Sequence, residues 1–341
     1  MSDFEDWRLD DPAALAGGDT FLRPVAEAGA RLRREWNLAS DAVESLRGEP
    51  RPRAVIAVGP EARLLRALLE PVCPVPFVAW PSAGLPGWVG PLDLVIVLGG
   101  TGQQAAAGLH EALRRGSRIL VVAPRGSRLA RDSAARATTL VPTTLLTDPF
   151  PGAVAALAAL HLMGLGPAVD PLAVAASMDA AAQACGQGRD LTLNPAKTLA
   201  LELAEAQPLV WGGSILAARA SRRIAEAVRE ASGRVSLAAD AAELLPLIVD
   251  APRRDPFADP VEGESPVRPT LVLVDDGTDD PEAITERDRL RTAAEAHDLR
   301  VSTLVADTGD ELTRYATLLI RGLFAAAYLR IGLGRGVTED R

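Results

Sequence analysis

Three stretches of the chain carry residue types whose spacing suits chemistry. The first is Gly99-Gly100-Thr101-Gly102-Gln103-Gln104. Glycines let backbone N–H groups approach an oxyanion, a helix start adds partial positive charge, and Thr101 adds a hydroxyl donor. The second is Gly212-Gly213-Ser214, a shorter turn of the same kind. Either would hold a phosphate; the plain alternative is a tight strand-to-helix connection with no ligand. The third is Lys197, the single lysine in a chain whose Lys and Arg number 36. A lysine ammonium is a compact charge with three donors and a shiftable pKa, which arginine does not reproduce. It stands in Asn194-Pro195-Ala196-Lys197, at the head of an apolar helical pattern. Its plain alternative is an exposed lysine at a helix start.

Several other chemistries are excluded. Neither turn is a Walker A loop, and neither is a full G-x-G-x-x-G with an acidic residue ending the next strand, so a nucleotide is not predicted. His110, His161 and His297 are the only histidines and none has a ligand-spaced partner. No metal and no cofactor are therefore expected. Cys73 and Cys185 lie far apart with no C-x-x-C, and read as reduced thiols of a cytoplasmic protein. A net charge of -9 argues against nucleic acid or an anionic membrane as partner. The acidic start Met1-Ser2-Asp3-Phe4-Glu5-Asp6-Trp7 has no signal-peptide pattern, and the longest apolar stretch, 152–166, is shorter than a membrane span.

The elements that must position these residues alternate between strand and helix. An N-terminal helical segment occupies residues 1–50, with a helix over 20–46. Strands are predicted at 54–58, 75–79, 94–98, 118–123 and 138–141, with helices at 61–69, 103–115 and 153–163. The scheme repeats: helices at 172–185, 196–206, 214–232, 281–297 and 310–333, strands at 209–211, 234–238, 270–274 and 300–305, and a long Pro- and charge-rich loop at 250–269. Alternation of this kind predicts an α/β fold of two doubly wound parallel sheets, flavodoxin-like and three-layered. The domains are 51–168 and 169–341, a division consistent with 341 residues. In such sheets ligands sit beyond the carboxyl ends of the strands, where both glycine turns fall.

The tandem layout, the opening Asn194-Pro195-Ala196-Lys197-Thr198-Leu199-Ala200-Leu201-Glu202-Leu203-Ala204 and the strand Pro208-Leu209-Val210-Trp211-Gly212 resemble the bifunctional phosphoglucose/phosphomannose isomerase family. That family is built from two sugar isomerase (SIS) domains. The closing Phe324-Ala325-Ala326-Ala327-Tyr328-Leu329-Arg330-Ile331-Gly332 is similar to its last helix, and residues 94–122 resemble the core of its first domain. The resemblance implies aldose–ketose isomerisation of a hexose 6-phosphate. A glutamate moves a proton between C1 and C2, a histidine helps open the ring, and Ser/Thr-rich turns hold the phosphate.

Carried over residue by residue, the family's Ser-Gly-Asn-Thr-Glu-Glu turn corresponds to Gly99, Gly100, Thr101, Gly102, Gln103 and Gln104, which keeps Thr101 as the hydroxyl donor. Its first phosphate turn corresponds to Val58-Gly59-Pro60-Glu61-Ala62, where Glu61 opposes an anion. The proton-transfer glutamate matches Glu230. The ring-opening histidine has no counterpart, since no His lies between His161 and His297. In some SIS isomerases a histidine crosses from a partner subunit, which would cast His297 in that role; its plain reading is a surface residue at a helix end. Glu230 has the plain reading of a solvated helix end.

Glu230 and Lys197 are thus the catalytic candidates. Gly99, Gly100, Thr101, Gly102, Gln103, Gly212, Gly213 and Ser214 are the candidates for binding substrate and phosphate. Three functions follow as expectations: a phosphosugar isomerase with altered catalytic residues, a non-catalytic sugar-phosphate sensor acting through a partner, or a dimeric scaffold. A homodimer is expected from the apolar terminal helix, which carries Leu312, Tyr315, Leu318, Leu319, Leu323, Phe324 and Tyr328.

Overall fold

A computed structural model describes residues 4–100, 102–134, 138–144, 147–252 and 267–335. The chain forms two compact units. One comprises residues 29–175; the other joins residues 1–28 to residues 176–341. The N-terminal helical segment is therefore divided between them. After α1 (Pro12–Gly17), which was not expected, the expected helix over 20–46 is interrupted, giving α2 (Asp19–Ala26) and α3 (Ala28–Glu44). Pro24 lies inside α2, where a missing N–H and the ring's bulk work against continuation.

The 29–175 unit holds β1 (Val55–Val58), α4 (Ala62–Leu69), β2 (Phe77–Ala79), β3 (Leu94–Leu98), α5 (Gln103–Arg115), β4 (Arg118–Pro124), α6 (Arg128–Asp132), β5 (Thr138–Thr143) and α7 (Phe150–Leu162). All its strands are parallel, in the order β2-β1-β3-β4-β5. That is the flavodoxin-like order expected from the alternation. β1 and β3 are buried along their whole length, because helices cover both faces. On one face Ile56, Val58, Val95, Val97, Ile119 and Val121 pack on Ala105, Leu109 and Ala112 of α5 and on Leu129. The alternate residues face α4 and α7. Gly116 closes α5 in the left-handed conformation at φ 68°, as the sequence predicts.

After α8 (Pro171–Cys185), the second sheet is built from α9 (Pro195–Leu203), β6 (Ala206–Trp211), α10 (Ile215–Ser232), β7 (Leu237–Ala238), α11 (Ala241–Val249), β8 (Arg268–Asp275), α12 (Pro281–Ala296), β9 (Val301–Val305) and α13 (Glu311–Gly332). Its order, β7-β6-β8-β9, repeats the first sheet with one strand fewer, and all pairs are parallel. α11 and α12 cover one face; α9, α10 and α13 cover the other. α10 and α13 approach closely at Gly322, where a Cβ would lie 2.3 Å from Ile224. The expected 234–238 strand shrinks to two residues, and α11 forms where no element was predicted, with Pro246 inside it. Most of the expected 250–269 loop lies outside the described residues.

Leu312, Tyr315, Leu318, Leu319, Phe324 and Tyr328 are buried within their own unit, against α9, α10 and the N-terminal segment. The apolar surface from which a homodimer was argued is therefore consumed inside the chain. Among the described residues no helix is long and apolar enough to cross a membrane.

Candidate functional site

In a doubly wound sheet the carboxyl-end crevice opens where the chain reverses its winding, here between β1 and β3 in one unit and between β6 and β8 in the other. Both glycine turns lie at these points, but they differ in chemistry.

In the 29–175 unit two turns meet at the crevice. Gly59 follows β1 at φ +115°, and a Cβ there would sit 2.2 Å from the Leu98 carbonyl oxygen. Only glycine lets the two strand ends approach so closely. A Cβ at Gly100 would lie 2.7 Å from Pro60, so the 59–61 and 99–102 turns are in contact. Gly99 N donates to Val122 O at 2.8 Å, continuing the ladder one residue past β3. Gly102 then takes the N-cap position of α5 at φ −82° and ψ 161°, with no side-chain cap and open space around its Cα. Among the described residues, the first-turn N–H groups of this 13-residue helix therefore receive no N-cap side chain. Gln104 Nε2 donates to Trp80 O at 2.8 Å, which anchors the first turn to the end of β2. Gln103 is exposed. Thr101 lies outside the described residues. Glu61 is buried in the adjoining turn, and its charge counts against an anion.

Sequence reasoning missed one cation here. The register pairs Leu98 with Val122, so the turns after β3 and β4 run side by side. Arg125 stands one residue beyond β4, exposed, with no ion pair among the described residues. The strand order makes it a neighbour of the 99–102 turn, and that order is not written in the sequence.

The second turn is closed by its own side chains. A Cβ at Gly212 would lie 2.4 Å from the Ala217 carbonyl carbon, and one at Gly213 2.7 Å from Ala283. Ser214 accepts from Ala217 N at 3.0 Å, capping α10, and its hydroxyl donates to Oδ2 of Asp276, which is 4% exposed. Asp275 accepts from Gly277 N and from Arg287, both at 2.9 Å. The positive end of α10 therefore already faces a buried carboxylate, which disfavours a second anion. Asp276 follows directly on the apolar run of β8, and only the β6–β8 adjacency makes it a partner for Ser214.

The two catalytic candidates stand in different settings. Glu230 is exposed in the last turn of α10. It lies 16 residues past Ser214, about 24 Å along the helix at ~1.5 Å per residue. Lys197 is fully buried at the start of α9, where Asn194 caps Ala196 N and Lys197 N at 3.0 and 3.1 Å. Its ammonium donates to Asp10 Oδ1 at 2.7 Å and to the carbonyls of Gln187 and Arg189 at 3.1 and 2.9 Å, and lies 5.7 Å from the Tyr328 ring centroid. These contacts use all three donors, so the ammonium has none left for a ligand. Burial raises the Tyr328 phenol above its ordinary pKa, and the hydroxyl donates to the Cys185 carbonyl at 2.7 Å. Trp211 is a core residue, and His297 ends α12 with its carbonyl accepting from Arg268 at 2.9 Å. Among the described residues no group of His, Cys, Asp and Glu is arranged to hold a metal.

Comparison with known proteins agrees with this architecture. Residues 192–337 match the family model of the bacterial phospho-glucose isomerase C-terminal SIS domain. No curated protein matches the chain by sequence. Among solved structures the chain is similar to a glucose-6-phosphate isomerase like protein from Thermus thermophilus, with a TM-score of 0.52 at 19% identity over 88% of this chain and 91% of that one. It is similar to the C-terminal domain of glucosamine-fructose-6-phosphate aminotransferase from Francisella tularensis, at 0.60 and 11% over 92% and 96%. It is also similar to glucosamine-6-phosphate deaminase from Thermotoga maritima, at 0.58 and 14% over 93% and 95%. At these identities the likeness shows a phosphosugar isomerase-like SIS fold, and the resemblance read from the sequence stands.

Proposed function

We propose that the chain binds a hexose 6-phosphate at the 99–103 turn of the 29–175 unit. The observation that carries this reading is the contrast between the two helix starts. α5 begins at an uncapped, sterically open Gly102, whereas α10 begins at a Ser214 that caps it and is engaged by Asp276. The phosphate would accept from the first-turn N–H groups of α5 and from Thr101, with Arg125 offsetting part of its charge and the charge of Glu61. This is binding chemistry, and it fits a sugar-phosphate sensor that reports occupancy to a partner. Titrating glucose 6-phosphate while following the 99–104 amides by NMR tests it. Shifts there at millimolar ligand are the expected result, and their absence leaves only a structural turn.

A second reading, weak isomerase activity, rests on the resemblance that matches Glu230 to the proton-transfer glutamate, and it must contend with the exposed position of Glu230 in the last turn of α10. Enediol chemistry needs a base, and ring opening without a histidine falls to water or another group. A coupled assay with glucose 6-phosphate and mannose 6-phosphate distinguishes the two readings. Any homodimer must use a surface other than the buried face of α13, and sedimentation at micromolar concentration reads its presence.

A further inference from the structure

We infer that residues 4–26 form a detachable strap across the C-terminal end of α13, and that the Asp10–Lys197 pair is its lock. The inference starts from the single lysine, which the binding site does not use. Lys197 has a side chain 1% exposed, while that of Asp10 is 52% exposed. Of the three groups that accept from the ammonium, only Asp10 carries a full charge. It comes from the far end of the sequence, 187 residues away. With the strap closed and Asp10 neutral, the buried ammonium would lose the only charged group that it hydrogen-bonds, which is unfavourable, whereas opening the strap lets water reach it.

The rest of the segment is fitted to the same helix end. Glu5 N donates to Gly332 O at 2.8 Å. A Cβ at Gly332 would lie 2.1 Å from the Phe4 ring, and one at Gly18 2.4 Å from Ile331. The Arg330 guanidinium sits 4.1 Å from the Phe21 ring centroid. Leu9, Leu15 and Leu22 of the strap are themselves buried. Its other ties are the Glu5–Gly332 hydrogen bond, the Phe21–Arg330 contact and the burial of its leucines, and it pairs with neither sheet, so it can open without unfolding a strand. The charge pair makes that release sensitive to one residue.

The two partners are unequal, and the inequality supplies the test. Asp10, half exposed, is solvated when Lys197 is absent. Lys197 has no such recourse when Asp10 is neutral. The carbonyls of Gln187 and Arg189 belong to exposed residues and can turn to water. Asp10→Asn, Lys197→Met and the double variant are compared with the wild type in the full chain. Amide exchange over residues 5–26 and tryptic cleavage after Arg8 are the readouts. The expected result is at least about tenfold faster strap exchange and cleavage in Asp10→Asn, with the 55–98 amides unchanged. Lys197→Met stays near the wild type, and the double variant recovers its protection. If Asp10→Asn does not fold, recovery of a folded double variant carries the same conclusion. Wild-type strap protection in Asp10→Asn, or a double variant as open as Asp10→Asn, overturns the lock.

Discussion

The hydroxyl of Ser214 donates to Oδ2 of Asp276, a carboxylate held at 4% exposure against the start of α10. This pairing separates the two glycine turns, which the sequence presents as equivalents. One helix start is satisfied from within, and the other offers its N–H groups to whatever reaches them.

Neutralising that carboxylate should reopen the second turn. Asp276→Asn keeps an acceptor for Ser214 and removes the charge at the helix terminus. Millimolar inorganic phosphate is expected to shift the Ile215 and Leu216 amides in this variant and not in the wild type. Equal shifts in both proteins would show that Asp276 does not guard the turn.

Gly102 and Gly59 should respond oppositely to a side chain. At Gly102 there is open space, so Gly102→Ser installs an N-cap, changes stability by less than about 0.5 kcal/mol and competes with the phosphate. Weaker glucose 6-phosphate binding at near-wild-type stability is expected. At Gly59 a Cβ would meet the Leu98 carbonyl at φ +115°, and Gly59→Ala should cost roughly 3 kcal/mol or more in denaturant unfolding.

Removing the neighbouring cation tests the placement of Arg125. Arg125→Ala should weaken hexose-phosphate binding several-fold at low salt and less at high salt, because an exposed charge is screened. Isothermal titration at two ionic strengths reads the difference, and a salt-independent loss would assign Arg125 some other role.

Acid should weaken the 29–175 unit through Asp93. Its carboxylate is fully buried and accepts from Arg53 at 2.9 and 2.7 Å and from Gly90 N at 2.8 Å. Burial alone would raise its pKa, but these hydrogen bonds and the Arg53 charge outweigh it and hold the carboxyl below the usual range. A depressed folded pKa gives stability that is present above the ordinary carboxylate value of about 3.9 and is lost as pH falls through the folded value. Asp93→Asn should therefore cost about 1–3 kcal/mol at pH 7, and the gap to the wild type should narrow below about pH 4. A gap that stays constant to pH 2.5 would contradict this.

Thiol chemistry should be confined to one cysteine. Burial pushes the Cys185 thiol up to about 11, while Cys73 is partly exposed. In the native protein at pH 8 a disulfide reagent should label Cys73 alone, and Cys185 only after unfolding.

Much of the fold was legible because it is written in local pattern. The apolar runs of β1, β3, β4 and β8, the glycine turns that end β3 and β6, and Gly116 at the close of α5 all act within a few residues of themselves. The misread elements have physical causes. Pro24 and Pro246 sit inside helices that propensity alone would end, and β7 keeps only the two residues that pair with β6. The site was harder to read because its decisive contacts are distant. Asp276 lies 62 residues from Ser214 and Asp10 lies 187 from Lys197, so spacing gave no sign that one turn is closed or that the single lysine is buried. Likewise, the apolar stripe of α13 looks the same in sequence whether a partner or the chain itself covers it.

The most direct test of the account is one titration of glucose 6-phosphate into the wild-type protein, with the 99–104 and 212–217 amides followed together by NMR. Saturable shifts in the first set, with the second set unmoved, are the predicted result. Shifts confined to the second set, or none in either at 10 mM, a concentration about tenfold above the ~1 mM Kd that corresponds to only ~4 kcal/mol of binding, would contradict it.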